Sequence, residues 1–302
     1  MINKNDGGVQ YANAIENSGV TLQGREVKKP FADRIPVLAL KHSDQYLCQA
    51  ARKFKDLRDA YRLVYEEYLA RGYCERRPSR MHYTYFCALP SSRTFLLQKK
   101  GQQEVLGTAS LILNSPCGLP TKSLFAEIIR ELQEKGRRIA EVSLLAISTR
   151  AFGKTIFSLT NVQKLIATFQ LFKAIFRYAQ SKGVTDLIIA VNPKHEKLYR
   201  YLTFERIAPV RPYPSVCDNP ALLMRLDIIW FMDARFRDQI VQKYFLHKSA
   251  EDVESGSFPI AREVLDQLFF EAEPPLPADE FSIFQAYLKS CYRDLTSHER
   301  NL

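Results

Sequence analysis

Residues Arg138-Ile139-Ala140-Glu141-Val142-Ser143-Leu144-Leu145-Ala146-Ile147-Ser148-Thr149-Arg150 decide how the chain is read. Ile139, Val142, Leu144, Leu145 and Ile147 give the stretch the apolar, partly β-branched content of a strand buried in a sheet. Glu141 interrupts that content, and Ser143, two residues on, shares its face. A carboxylate inside a core strand is costly unless it has a partner or a chemical task.

On the C-terminal side, residues 149–159 read as a connection, and Asn161 to Lys182 as a long amphipathic helix between a Thr160 cap and a Gly183 stop. Asp186 to Val191 is a short strand of the fully buried kind. Asn192-Pro193 opens another helix, with proline in its first turn, that ends near Tyr201. Phe204 to Val210 and Leu222 to Trp230 read as two further strands.

On the N-terminal side, Phe125 to Lys135 is a helix closed by Gly136. Thr94 to Lys99 and Glu104 to Leu113 form a hairpin turning at Lys99-Lys100-Gly101. Tyr73 to Arg93 is a loop rich in arginine and aromatics, suited to an anionic, partly apolar ligand. Before it, Leu47, Ala51, Phe54, Leu57, Tyr61, Val64 and Tyr68 recur at helical spacing, which predicts a helix from about Asp44 to Arg71. The order of elements predicts an α/β (α+β) fold, a mixed, mostly antiparallel central sheet flanked by helices. Three regions follow: an extended or disordered arm over 1–40, a folded α/β domain over 41–230, and a helical extension over 231–302. The extension reads as helices Ala234 to His247, Pro259 to Glu271 and Asp279 to Leu295.

Composition narrows the function classes. The six cysteines and five histidines have no zinc-site spacing, so no metal is expected and a reduced, cytoplasmic protein is. No run approaches the length of a membrane span, although peripheral contact with an anionic membrane stays open. The net charge of +10 is uneven. Residues 1–230 hold 35 basic and 20 acidic side chains, and residues 231–302 hold 8 and 13. A basic body suits an acidic partner. Nucleic acid is one such partner, but no helix-turn-helix, zinc-finger or base-reading motif is present, and none is expected to bind.

Four places carry candidate chemistry. Burial would raise the pKa of Glu141 and make it a proton acceptor near neutrality, with Ser143 beside it; an ion pair with a neighbouring arginine is the alternative. His195 sits at a strand-to-helix turn where an imidazole either shuttles protons or orders the loop. Tyr199 follows it on the same helix and either directs its hydroxyl at a leaving group or is a satisfied core residue. Arg150-Ala151-Phe152-Gly153-Lys154-Thr155 is not a P-loop, because Ser148 stands where that motif needs glycine. As an Arg-x-x-Gly loop it still offers backbone N–H groups to a phosphate.

Several segments, in order, match a known family: Ala60-Tyr61-Arg62-Leu63-Val64-Tyr65-Glu66-Glu67-Tyr68 with Gly72-Tyr73; Gly107 to Ser115 running into Gly118-Leu119-Pro120; Gly136 to Ala146; Asn192 to Tyr199; and Tyr213-Pro214-Ser215-Val216 with Asn219-Pro220-Ala221. Together they resemble the FeeM-type N-acyl amino acid synthases, acyltransferases of the GNAT superfamily related to the acyl-homoserine-lactone (autoinducer) synthases. The resemblance spans roughly residues 46–230. It implies a GNAT-like fold and transfer of a long fatty acyl group from acyl carrier protein to the α-amine of an amino acid.

The resemblance also implies roles. Glu141 and Ser143 match the first and third positions of the Glu-x-Ser-Arg motif at the autoinducer synthases' donor site. Leu144 replaces the arginine, which favours an amino-acid acceptor over the lactone reaction. No bound cofactor is implied: the donor is the acyl-phosphopantetheine of acyl carrier protein, an acidic partner for the basic body. Backbone along Leu144, Leu145 and Ala146, with Arg150 and Gly153, would receive the pantetheine, and Lys154 and Lys164 would steer the carrier. Phe169, Phe172 and Phe176 would line an acyl channel, unless they are plain core. Arg76, Arg77 or Arg80 would hold the acceptor carboxylate, since a guanidinium pairs with it in bidentate fashion. An autoinducer-type synthase, or a non-catalytic GNAT-like binding protein, is the alternative reading. The acceptor identity, acyl length and oligomeric state are not specified.

Overall fold

The structure, a computed structural model, describes residues 45–90, 92–153 and 161–233, and beyond them 244–246, 264, 268, 282–283 and 286–291. The expected N-terminal arm, Lys154 and most of the three tail helices lie outside the described residues.

Eight strands form one sheet: β1 (Tyr46–Ala50), β2 (Arg93–Lys99), β3 (Val105–Leu113), β4 (Ile139–Ile147), β5 (Asp186–Val191), β6 (Glu205–Arg206), β7 (Arg211–Tyr213) and β8 (Asn219–Asp227). Their order is β1-β2-β3-β4-β5-β8-β6, with β7 also on β8. Every pair is antiparallel except β4 and β5. The helices are α1 (Phe54–Leu69), α2 (Lys122–Glu134), α3 (Thr149–Phe152), α4 (Asn161–Ser181), α5 (Glu196–Tyr201) and α6 (Ile228–Met232). This is the mixed, mostly antiparallel sheet flanked by helices that the sequence predicts.

Two cores cover the two faces of the sheet. One joins α4 to Ala140, Val142 and Ile147 of β4, and the other joins α1 and α2 to Ile139, Leu144 and Ala146 of the same strand. The opening strand is thus buried from both sides, which is why its sequence is apolar at nearly every position.

Three boundaries differ from the sequence reading. The predicted helix from Asp44 is instead the edge strand β1, then a break at Arg52-Lys53, then α1. Leu47 is in helical phase with α1, but its hydrogen-bonding partner is Gln98, 51 positions further along the chain. The strand expected over Phe204 to Val210 has only two residues in ladder geometry, and Arg211–Tyr213 supplies a separate pairing. The strand expected to reach Trp230 stops at Asp227, whose carboxylate accepts from the Trp230 N–H at 3.0 Å and starts α6.

Two features of β4 position the site. Its ladder to β5 contains only Ile139, Ala140 and Glu141, opposite Asp186, Leu187 and Ile188. Below that short ladder, the fully buried Asp186 is clamped by Arg137 and Arg225, each at 2.6 Å, and Asp227 completes the cluster. Beyond it, β4 follows β3 and β5 follows β8, so the sheet forks. The second feature is a bulge. Thr108 pairs with Ala146 and Ser110 with Ser143, which leaves Ala109 opposite both Leu144 and Leu145. Leu144 absorbs the extra residue at φ 53°, in the left-handed region.

Candidate active site

The fork opens into a cavity of about 1360 Å³. Its walls include Val142 to Ile147 of β4 and Ile189 to Asn192 at the end of β5. Glu67, Tyr68 and Arg71 of α1 contribute, as do the loop around Arg77 and His82 and the segment around Tyr213. Along Val142 to Ile147 the edge of β4 that faces β5 has no strand partner among the described residues. A fork of this kind presents strand backbone to a ligand, and the bulge bends that strand away from β5.

Glu141 is the last residue of β4 paired to β5, 2% exposed, and lines the cavity. Its Oε2 accepts from the Thr121 N–H at 3.0 Å and the Thr121 hydroxyl at 2.8 Å. Thr121 is the N-cap residue of α2, yet its hydroxyl makes no cap bond to its own helix. It serves the carboxylate instead. Burial pushes the Glu141 carboxyl up to about 7, outweighing the Thr121 bonds that pull it down. The arginine pair that was the alternative for Glu141 is not made among the described residues. An acid with a pKa near 7 at a cavity wall is suited to proton transfer at neutral pH.

Ser143, Leu144, Leu145, Ala146, His195, Tyr199 and Arg77 also line this cavity. Because of the bulge, Ser143 and Leu144 lie on one side of the strand in succession, and Leu145 then turns to the α4 side. His195 is half-buried, and burial together with Lys194, Arg71 and Lys164 lowers it to about 4. It is neutral near pH 7 and a far weaker base than Glu141. Tyr199 is buried with its ring edge-on to Phe172 and Phe204, and burial raises its hydroxyl above the usual tyrosine range. Lys164 lies at the wall and reaches the Gly153 carbonyl at 3.4 Å.

Other expected site residues stand apart from the cavity. Arg76 and Arg80 are exposed and do not line it. Arg150 has 83% of its side chain in solvent and pairs with Glu104. Gly153, at φ 80°, ends α3 outside the lining, reached only through Lys164. Phe169, Phe172 and Phe176 are fully buried in the α4 core against rings of Phe204, Phe231, Tyr244 and Phe245 and do not line the cavity, which is the plain-core alternative of the sequence reading.

The structure adds residues that the sequence left unassigned. Glu67 is buried, accepts from the Thr149 N–H at 2.6 Å and hydroxyl at 2.9 Å, and pairs with Arg71 at 2.6 Å. It ties α1 to the end of β4. Thr121 and Tyr213 stand next to Glu141, with Tyr213 raised chiefly by burial and then by that carboxylate. A polar residue on the apolar side of an amphipathic helix was the available signal for Glu67. Thr121 could be suspected only because a buried acid needs donors. Among the described residues, no three His, Cys, Asp or Glu side chains are grouped to hold a metal, and no helix is long and apolar enough to cross a membrane.

The family model described as "N-acyl amino acid synthase FeeM" matches residues 59–227, more than half of the chain. Among solved structures, FeeM, an N-acyl amino acid synthase from uncultured soil microbes, is 25% identical, with a TM-score of 0.52 over 62% of this chain and 93% of its own. The acyl-homoserine-lactone synthase LasI is 17% identical, with a TM-score of 0.45 over 65% of this chain and 94% of its own. BjaI, a CoA-dependent acyl-homoserine lactone synthase, is 12% identical, with a TM-score of 0.47 over 69% and 92%. No curated protein matches. With its sheet forked at Glu141 and most of its length matched, the chain is an N-acyltransferase and belongs to the FeeM N-acyl amino acid synthase family.

Proposed function

We propose that the enzyme transfers a long fatty acyl group from the phosphopantetheine of acyl carrier protein to the α-amine of an amino acid. The observation that carries this reading is Glu141, a buried carboxyl with a pKa near 7 at the fork of the sheet. The pantetheine arm enters between β4 and β5, its amides against the unpartnered edge of Val142 to Ile147. The thioester carbonyl lies near the bulge, where backbone N–H groups of Leu144 to Ala146 polarise it.

Glu141 takes the proton of the acceptor ammonium directly or through a water. The neutral amine attacks the thioester carbon, a C–N bond forms, and the C–S bond breaks. As the amide forms, the nitrogen releases its second proton, which passes through the Tyr199 hydroxyl to the departing thiolate, so that Tyr199 ends as it began. No covalent enzyme intermediate is needed, because the thioester is already activated. Ser143 and the neutral His195 orient groups in the cavity and do not act as bases. Arg77, the only one of the three expected arginines at the cavity wall, receives the acceptor carboxylate. The acyl chain occupies the apolar part of the cavity near Leu119 and Phe86.

The basic body suits either polyanionic donor, and the Arg150-x-x-Gly153-x-Thr155 loop, which lacks the final small residue of a nucleotide-binding loop, supports acyl carrier protein over coenzyme A. The test is direct. Purified enzyme is given acyl-carrier protein or the matching acyl-CoA with the common amino acids, and products are read by mass spectrometry. An N-acyl amino acid made faster from the carrier supports the reading; product only from the CoA thioester overturns the donor assignment. Glu141→Gln is expected to lower kcat by about 10²–10⁴ with carrier binding intact. Unchanged turnover removes Glu141 from the mechanism.

A further inference from the structure

The cavity wall formed by α1 and the following loop carries two polar atoms without partners. The Tyr73 hydroxyl and His82 Nδ1 are both buried, and among the described residues neither has a hydrogen-bond partner. His82 as a whole is 6% exposed. Both residues line the cavity, and both rings rest on Tyr68, with centroids 5.7 Å away for Tyr73 and 5.1 Å for His82.

An unpaired buried polar atom destabilises a fold, and few are kept. Two on one wall of a substrate cavity mark groups that a ligand completes. The chemistry of that ligand follows from the surroundings. His82 is lowered to about 4 by burial and by Arg77, so it is neutral and can carry its proton on Nδ1. A tyrosine hydroxyl donates as well. Arg77 is close to the imidazole, and the Lys194 ammonium lies 5.1 Å above the Tyr73 ring. Two neutral donors among cations suit a group that only accepts and carries negative charge.

Resting on the proposed amino-acid acceptor, we infer that Tyr73 and His82 donate to the acceptor's α-carboxylate beside Arg77 and so select amino acids over simple amines. Tyr213 is raised by both Glu141 and Tyr68, so it lies within electrostatic reach of the base and of the ring on which Tyr73 and His82 rest. An α-carboxylate and an α-amine are one carbon apart, so the two subsites must adjoin.

The test compares one amino acid that the wild-type enzyme acylates with the amine left by its decarboxylation. Tyr73→Phe and His82→Leu are expected to raise KM for the amino acid at least about tenfold, the worth of one charge-assisted hydrogen bond. KM for the acyl donor and kcat/KM for the amine are expected to stay within about twofold of wild type. His82→Asn, whose amide N–H can stand where Nδ1–H was, restores most of the loss. Equal effects on amino acid and amine, or an unchanged amino-acid KM in Tyr73→Phe, overturns the inference. Should His82→Leu fail to fold, Tyr73→Phe, which removes one oxygen, decides alone. If wild-type enzyme acylates amines but no amino acid, the proposed function fails first and this inference with it. Amino-acid acylation in wild type with indifferent variants refutes the inference alone.

Discussion

At the scale of the residue, the same burial that makes Glu141 a base weakens the fold. Its carboxyl titrates near 7 in the folded chain, against an ordinary 4.5. Between those two values the folded chain keeps a proton that the unfolded chain has released, so stability falls as pH rises through this window. The loss is full above pH 7 and amounts to roughly 3 kcal/mol. Glu141→Gln keeps an acceptor for both Thr121 donors and removes the charge. It is therefore expected to melt about 6 °C above wild type at pH 8, with the two melting temperatures converging below about pH 4.5. A variant no more stable than wild type at pH 8 would show that the carboxyl titrates near its ordinary value. The same ionisation appears in turnover: kcat/KM for the wild type should rise with pH and level off above about 7. A limb near pH 4 would point to His195 instead. Catalysis and stability pull opposite ways at one oxygen, as expected of a site under functional strain.

At the scale of the element, the sequence displays what is local and hides what is not. Strand β5 and the helices α2 and α4 are legible within a few residues, because each carries its own periodicity and stop signals. Strand β1 is misread because five residues of edge strand contain too little periodicity to contradict a helix beginning just after them. The bulge at Leu144 is illegible for a related reason. It arises from the mismatch between β3 and β4, and only the pairing shows that one residue is surplus. Glu141 could be read as an expensive carboxylate, whereas Thr121, the donor that holds it, comes from another element. The link between α1 and β4 through Glu67 is equally non-local, and it carries its own prediction. Glu67→Ala strands the Thr149 N–H and leaves Arg71 without its carboxylate, at a cost of roughly 3 kcal/mol. Because Thr149 begins the turn to Gly153 and Lys164, donor KM should rise more than acceptor KM. Denaturant unfolding and two-substrate kinetics measure both. An equal rise for both substrates would make Glu67 a stabilising residue only.

At the scale of the whole molecule, the question is whether the tail is an appendage. Its composition suggests one, acidic where the body is basic and beyond the matched region. Its described side chains behave otherwise. Tyr244 and Phe245 pack into the α4 core against Phe169 and Phe176, and Leu268 and Leu288 enter the core of α1 and α2. The Tyr83 hydroxyl, on a loop that lines the cavity, donates to the Leu268 carbonyl, and Ile283 reaches the cavity wall itself. Burial of four large apolar side chains contributes about 6–12 kcal/mol, which is comparable to the entire stability of an ordinary domain. Removal of residues 234–302 therefore uncovers both cores at once. We expect the truncated chain to bind a hydrophobic dye, aggregate on sizing chromatography and lose acyl transfer. A soluble, monodisperse truncation with wild-type turnover would make the tail dispensable. Ile283→Ser separates covering from folding, because its side chain is more than half exposed. Its melting temperature should stay near wild type while the distribution of accepted acyl lengths shifts, read from product mass spectra. An unchanged distribution would leave the tail with packing as its whole contribution.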